Sequence, residues 1–379
     1  MDQYTNKQKV MFITMRNPFN SIKGEQVVVK NRHAYLEKKY NKKISFFVLR
    51  FFFQKREEGV NYIDIGMVDL ILGVTNYFFK KIPIQAALYS SSRVSVKVSN
   101  IFHMEKFDTI HFFQLRTFLT GSHIESDKVI LEFIDALSLN YATRLNEGSW
   151  LKKIIIKHEL SRLESFERSF NKKILKIFVS SVDRDFLSLS NSIVIPNPIF
   201  INQALVGSIK EYDLVFSGNF NYGPNVNSIQ YFLEYTFQDL RIKFPDITIY
   251  LVGIGSENFI NKQAGIYGSG KVENIFKHIA KARISVAPML SGSGMQNKIL
   301  ESFSVGLPVV STKIAFDPIV NFAGHNQYFL CAETSEEWID GVGRLLNLNN
   351  QSEVSNKVLE YASMFDIDRC HVDFDRNVS

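Results

Sequence analysis

At 379 residues the chain is too long for one compact core and is expected to form two domains. Hydrophobic residues make up 45% and charged residues 22%, a globular balance that excludes a disordered chain. The net charge of +6 is uneven: residues 1–200 hold 30 Lys and Arg against 19 Asp and Glu, and the remainder 14 against 19. An anionic partner is therefore expected on the N-terminal half alone.

In chain order, residues 9–14 read as a buried first strand, followed by a loop over 16–25 and a helix over 26–40. Residues 43–49 form the next strand. Helices are expected over 67–79 and 84–98, the second with Pro83 in the first turn, where proline is tolerated. Short apolar strands follow at 109–113 and 128–133. Residues 149–171 carry Ile156, Leu160, Leu163, Phe166 and Phe170 at helical spacing. A strand at 174–180 leads to the Ile-Pro-Asn-Pro turn within 193–199, which ends the first domain.

The alternation then restarts, with strands over 213–217, 247–252, 264–267, 284–287 and 308–311. Helices over 225–239, 275–282 and 295–305 separate them. Strand–helix alternation in both halves implies parallel, doubly wound sheets. Cys331 and Cys370 are far apart and give neither a disulfide framework nor a metal-ligand spacing, which fits a reducing compartment and no metal. The first nine residues are polar, without a signal-peptide core, and no window is long and apolar enough for a membrane span.

The most informative stretch is 285–312: Ser-Val-Ala-Pro-Met-Leu, Ser-Gly-Ser-Gly-Met-Gln-Asn-Lys-Ile-Leu-Glu, then Ser-Phe-Ser-Val-Gly-Leu-Pro-Val-Val-Ser-Thr. It reads as strand, glycine loop, helix, glycine break and strand. Such a loop brings backbone N–H groups and a helix N-terminus to one point, which suits a phosphate. This unit resembles the donor-nucleotide site of family-four retaining glycosyltransferases of the GT-B fold. Val215-Phe-Ser-Gly-Asn-Phe-Asn-Tyr-Gly-Pro-Asn225 is similar to that family's opening strand and glycine loop. Gly270-Lys-Val-Glu-Asn274 is similar to its nucleobase-side loop, and residues 130–141, 195–198 and 354–374 have counterparts as well.

The resemblance implies two Rossmann-like domains facing across a cleft. Residues 1–198, with a crossover helix at about 355–379, would form the acceptor side, and 199–354 the donor side. It further implies a cytoplasmic, cofactor-free, metal-independent enzyme, peripheral on the inner membrane face. That enzyme would move a hexosyl unit from a UDP- or GDP-sugar to a glycan or polyprenyl-diphosphate-linked acceptor in surface-polysaccharide assembly. The family's route is front-face transfer, in which the leaving diphosphate helps deprotonate the acceptor. Glu301 matches the glutamate that binds the donor ribose. Lys298 would reach a phosphate oxygen, and Gly292, Ser293, Gly294, Met295 and Gln296 would line the loop. Gly218 and Asn219 would belong to the opening loop, Val272 to the base side, and Gly24 would leave space near the diphosphate. Asp135 would orient the acceptor hydroxyl or the donor sugar.

Two positions depart from the family pattern. Ser293 stands where the first of two glutamates is usual, and Asn219, Asn221 and Asn225 stand where an Arg and Lys pair is usual. Backbone amides of Gly294, Met295 and Gln296, with Lys298 and Lys271, would take over those roles. A non-catalytic GT-B protein that binds a nucleotide or glycan for an assembly complex is the alternative reading. A nucleic-acid binder rests on N-terminal charge alone, without a recognisable module. His111 reads as a core histidine or a catalyst, and Gly253-Ile-Gly255 as a weak dinucleotide signal lacking its third glycine. Residues 76–89, followed by Arg93 and Lys97, interleave aromatics with lysines, as either a core helix or an interfacial element.

Overall fold

The computed structural model describes residues 9–19, 26, 28–31, 43–124, 128–143, 145, 150–292, 294–370 and 372. The chain divides into two compact units: Met1–Ile195 with Phe374–Ser379, and Pro196–Asp373. Each is built on its own parallel sheet.

Among the described residues the first unit holds seven strands: β1 (Lys9–Thr14), β2 (Lys43–Phe51), β3 (Asn61–Ile65), β4 (Thr109–Phe113), β5 (Lys128–Phe133), β6 (Leu175–Phe178) and β7 (Ser192–Val194). Their spatial order is β3-β2-β1-β4-β5-β6-β7, every pairing parallel. The order reverses between β1 and β4, so the ends of these two strands open a crevice of the kind in which doubly wound sheets bind ligands. Phe12, Ile110, Phe112, Leu131, Phe133 and Phe178 are buried because strands covered on both faces read as continuous apolar runs. The helices are α1 (Met67–Phe79), α2 (Ile84–Ala87), α3 (Ser92–Met104), α4 (Leu137–Thr143), α5 (Trp150–Glu167) and α6 (Ser181–Leu187).

The second unit carries β8 (Tyr212–Ser217), β9 (Ile249–Val252), β10 (Ile266–Gly268), β11 (Ala282–Ala287), β12 (Val309–Ser311) and β13 (Phe329–Cys331). They lie in the order β10-β9-β8-β11-β12-β13, again all parallel, with the reversal between β8 and β11. Its helices are α7 (Gly223–Tyr231), α8 (Phe237–Lys243), α9 (Ile275–Ile279), α10 (Asn297–Ser304), α11 (Lys313–Ala323), α12 (Ser335–Leu346) and α13 (Gln351–Ala362). Val354, Val358 and Tyr361 of α13 join the core of this unit, beside Phe303 of α10. Gly306, at a φ of +74°, admits that packing, since a Cβ there would lie 2.8 Å from Ser355 Cβ.

Several elements differ from the sequence expectation for local reasons. The single helix expected over 84–98 is two, because Ser91 leaves helical geometry to cap α3, its hydroxyl accepting from Arg93 N–H. The helix over 225–239 is α7 and α8 joined by a π-helical turn at Phe232–Thr236, and it runs on to Lys243. Strand β3 was not anticipated, although Asn-Tyr-Ile-Asp-Ile alternates as a half-buried strand does. The turn expected over 193–199 begins inside β7. Of the helix expected over 26–40, residues 26 and 28–31 are helical and the rest lies outside the described residues.

Gly253 has a packing role rather than a dinucleotide one. With φ at +133°, it brings the loop after β9 against the loop after β8, and a Cβ would fall 1.9 Å from the Gly218 carbonyl oxygen. Gly253→Ala is therefore expected to cost about 2–3 kcal/mol of unfolding free energy in urea titration. Gly223→Ala, with no atom within 4 Å of the new Cβ, is expected to stay within about 0.5 kcal/mol of the parent.

Candidate functional site

In the second unit the two loops at the strand-order reversal converge on one side chain. β8 ends at Ser217 and runs into Gly218 and Asn219, while β11 ends at Ala287 and runs through Met289 into the loop before α10. Lys298, in the first turn of α10, is 9% exposed. Its Nζ donates to Asn225 Oδ1 at 2.7 Å and to Met289 Sδ at 3.1 Å, and stands 4.2 Å from the centroid of the Phe216 ring. Asn225 Nδ2 in turn donates to the Asn219 carbonyl at 3.1 Å. Gly218 admits this arrangement, since a Cβ there would lie 2.8 Å from Asn225 Nδ2. One ammonium thus ties strand β8, the loop behind it, the end of β11 and helix α10 together.

The surrounding loop is held just as firmly. Leu290 N–H donates to Ser228 Oγ at 3.0 Å, and Thr312 Oγ1 donates to the Met289 carbonyl at 2.7 Å. Ser302 Oγ bonds Ser285 Oγ at 2.8 Å, which seats α10 on β11. Asn197 Nδ2 donates to Asn297 Oδ1 at 2.7 Å, at the first residue of that helix. Gly292 and Gly294 take φ values of +134° and +69°. Glycine accepts both at no steric cost, and the loop can then present backbone N–H groups to an anion. Gln296 caps α10 without a side-chain hydrogen bond, which leaves the positive end of the helix to a ligand.

Glu301 lies three residues beyond Lys298 on the same helix. It is only partly exposed, and burial pushes its carboxyl up to about 7 against the opposing pull of Lys298. Burial likewise pushes the Lys298 ammonium down to about 7, with Glu301 opposing. Both charges are thus kept on the margin of ionisation by desolvation, and a bound anion would favour the charged lysine.

The structure places the remaining sequence candidates as follows. Gly218, Asn219, Gly292, Gly294, Met295, Gln296, Lys298 and Glu301 gather at the carboxyl ends of β8 and β11. Val272 follows β10 at the same sheet edge and packs with the smaller core that holds Val215, Tyr250 and Val252. Ser293 and Gly24 lie outside the described residues. Asp135 belongs to the first unit, in the turn between β5 and α4, where Asn140 Nδ2 donates to its Oδ2 at 3.2 Å. That turn is shaped from behind by two buried carboxylates. Asp183 accepts from Ala136 N–H at 2.8 Å, and Glu167 accepts from Leu137 N–H at 2.7 Å and from Ser138. Burial first, and the charge of Asp135 among the smaller causes, push the Glu167 carboxyl up to about 7.

His111 is a core residue. It is 1% exposed, with Nε2 3.0 Å from Glu132 Oε2 on the neighbouring strand and its ring centroid 4.3 Å from that of Phe12. Sequence reasoning did not pair Arg16 with Arg116, which follow β1 and β4 on either side of the first unit's strand-order reversal. The Arg16 guanidinium is held below its usual range by burial and then by the charge of Arg116, with Tyr89 opposing. Burial pushes the Tyr89 hydroxyl up, against both arginines. Two half-buried guanidinium groups sharing one strand-end crevice form a local positive field. The only sequence signal was their position just after predicted strands. Among the described residues no group of three or more His, Cys, Asp or Glu is arranged to hold a metal ion.

Comparison with known proteins agrees with this geometry. Residues 211–348 match the family model described as glycosyl transferases group 1, so the second unit is a glycosyltransferase domain. Over 97% of its length the chain resembles sucrose-phosphate synthase from Thermosynechococcus elongatus, covering 98% of that chain at 11% identity and a TM-score of 0.66. The structure of HepE from Anabaena in complex with UDP and glucose gives a TM-score of 0.65 at 14% identity, covering 97% of this chain and 98% of that one. TarM gives 0.67 at 10% identity, over 100% of both chains. No curated protein sequence matches the chain significantly. The fold is GT-B, and residues 211–348 carry the match to the group 1 glycosyltransferase model.

The Lys298–Glu301 pair predicts an unusual pH profile. Because the Glu301 carboxyl is raised, the stability it contributes is complete below 4.5 and lost as pH rises through about 7. Because the Lys298 ammonium is lowered, its contribution is complete above 10.5 and lost as pH falls through about 7. Both run downhill toward neutrality. In urea unfolding, the double variant Lys298→Met, Glu301→Gln should therefore compare best with the parent near neutral pH, and less well at about pH 5 and about pH 9. An unchanged difference across that range would contradict the assignment.

Proposed function

We propose that this protein is a retaining glycosyltransferase. It moves a hexosyl unit from a UDP- or GDP-sugar to a glycan or polyprenyl-diphosphate-linked acceptor in surface-polysaccharide assembly, on the cytoplasmic side of the membrane. The reading is carried by one observation above all: the buried Lys298 and the Glu301 carboxyl share a helix that starts at the glycine loop after β11, inside the segment that matches the group 1 model. The UDP held by the HepE structure supports a uridine donor, as does the UDP-2-fluoro glucose in an Escherichia coli trehalose-6-phosphate structure.

In this scheme the diphosphate lies over Gly292, Gly294, Met295 and Gln296, whose backbone N–H groups and helix dipole stabilise the charge that develops as it leaves. Lys298 becomes fully protonated against that charge and reports the diphosphate to the loop at Asn219 through Asn225. Glu301 accepts from the ribose hydroxyls, with Gly218 and Asn219 beside the phosphates and Val272 toward the base. The bond from the anomeric carbon to the diphosphate oxygen breaks, and the bond to the acceptor oxygen forms on the same face. The acceptor proton passes to the leaving diphosphate. Asp135 orients the acceptor hydroxyl, and Arg16 and Arg116 supply a positive field for an anionic acceptor. No metal or cofactor takes part.

Incubation with UDP- and GDP-sugars and candidate acceptors should release the nucleoside diphosphate, and the new linkage should keep the donor's anomeric configuration by NMR. Glu301→Ala and Lys298→Ala should each lower kcat/KM at least about tenfold, roughly 1.4 kcal/mol. Nucleotide binding without turnover on any acceptor would favour a non-catalytic partner of an assembly complex. Parent-like kinetics in both variants would overturn the site.

A further inference from the structure

Helix α1 of the first unit is turned inside out. Met67 (63% exposed), Ile71 (58%), Val74 (40%) and Phe78 (65%) recur at helical spacing along its outer face, with Val68 and Phe79 beside them. The inward face carries the partly buried Leu70 together with Asp69, Gly73 and Asn76. Asp69 is buried, its carboxylate accepting from Ser91 Oγ at 2.7 Å and Gly66 N–H at 2.9 Å, with Arg93 and Lys97 within 4.0 Å. Asn76 Nδ2 donates to the Ser90 carbonyl at 3.1 Å and to Ser90 Oγ at 3.0 Å. Gly73 presses on α2 so closely that a Cβ would lie 2.5 Å from the Ala87 carbonyl oxygen. These contacts fix the helix about its axis. Rolling it to hide the apolar stripe would bury Met67, Ile71 and Phe78 only by exposing three satisfied polar or close-packed positions.

A second apolar strip lies next to it. Arg162 of α5 stacks on the Tyr77 ring at 4.1 Å and donates to the Tyr77 carbonyl, which brings α5 to the C-terminal end of α1. On α5, Trp150, Ile154 and Ile155 are 68%, 56% and 68% exposed. Ile154 and Ile155, with Tyr77, Ile84 and Tyr141, also line a largely apolar hollow of about 620 Å³. The exposed charges nearest these strips are lysines, while Glu159, which also lines the hollow, is buried and accepts from Ile84 N–H. Lys80 and Lys81 follow α1, and Lys153 and Lys157 flank the two isoleucines, all four exposed. The segment 150–158, Trp-Leu-Lys-Lys-Ile-Ile-Ile-Lys-His, contains no acid, and the single acid of α1 is the buried Asp69.

We propose that the outer face of α1, with Trp150, Ile154 and Ile155 of α5, docks this protein on an anionic lipid bilayer. The apolar stripes enter the headgroup boundary, while Lys80, Lys81, Lys153 and Lys157 pair with lipid phosphates. A row of exposed apolar side chains along one helix face, next to a second such strip, calls for a partner. A lysine-rich rim around an apolar centre with an exposed tryptophan selects a negatively charged interface. Among the described residues no helix is long and apolar enough to cross a membrane, so the contact is a surface one. The inference relies on the glycosyltransferase reading only in giving the docked enzyme a lipid-linked acceptor.

Co-sedimentation of the full chain with vesicles tests the surface without any donor or turnover. Vesicles of phosphatidylcholine and phosphatidylglycerol should retain the protein, those of phosphatidylcholine alone should retain it far less, and added salt should release it. Ile71→Ser with Phe78→Ser and Phe79→Ser should weaken vesicle binding at least about tenfold, as should reversing the four lysines to glutamate. Both variants should keep the parent's melting temperature and its UDP-induced thermal shift, because they alter exposed side chains outside the donor unit. Absence of the parent from phosphatidylglycerol vesicles would overturn the proposal. So would binding that survives the apolar variant, or a dimer in sedimentation equilibrium that this variant abolishes. Loss of the UDP shift with vesicle binding intact would instead count against the donor site alone.

Discussion

The second unit depends on a single buried ammonium. A lysine in the interior costs free energy unless its charge is compensated, and Lys298 finds a carbonyl oxygen on Asn225, a thioether on Met289 and the face of Phe216. Those partners come from three different segments, so the lysine fixes their relative positions as well as its own charge. Asn225 passes the constraint on to the backbone at Asn219. The glycine at 218 and the close approach of Gly253 complete the frame. The glycine loop is thus one part of an assembled corner and not an independent element.

The same topology appears in both units, with different chemistry at each reversal of strand order. In the second unit burial pushes the Lys298 ammonium down to about 7 and the Glu301 carboxyl up to about 7. In the first unit Arg16 and Arg116 share the corresponding crevice beside Tyr89, and Asp135 sits on a turn braced by Asp183 and Glu167. The charge asymmetry of the sequence has a concrete location in this arrangement. Its basic excess falls on the unit that carries the paired arginines and the lysine-rimmed apolar face.

Much of the donor unit was legible because its signals are local. Strand, glycine loop, helix and second strand follow one another within 285–312, and the buried strands are continuous apolar runs. What could not be read depends on contacts distant in sequence. Asn225 stands where the family pattern has a basic residue, and its role as acceptor for Lys298 follows only from β8 lying beside β11. Arg16 and Arg116 are a hundred positions apart and pair only because β1 lies beside β4. The amphipathic signal was sought over 76–89, whereas the exposed stripe begins at Met67. An apolar helix face normally points inward, and here the polar anchors Asp69 and Asn76 with the close-packed Gly73 hold the helix the other way. Gly253-Ile-Gly255 is a weak dinucleotide signal because a backbone crossing needs the same glycine that a dinucleotide loop does, and Gly253 makes such a crossing against Gly218.

A crystal structure of the full chain with UDP bound tests the central claim most directly. The account predicts the diphosphate within hydrogen-bonding distance of the backbone N–H groups of 292–296 and of Lys298 Nζ, with the ribose hydroxyls on the Glu301 carboxylate. UDP seated elsewhere in the unit, or Lys298 held by Asn225 and Met289 with no phosphate oxygen in reach, would contradict it.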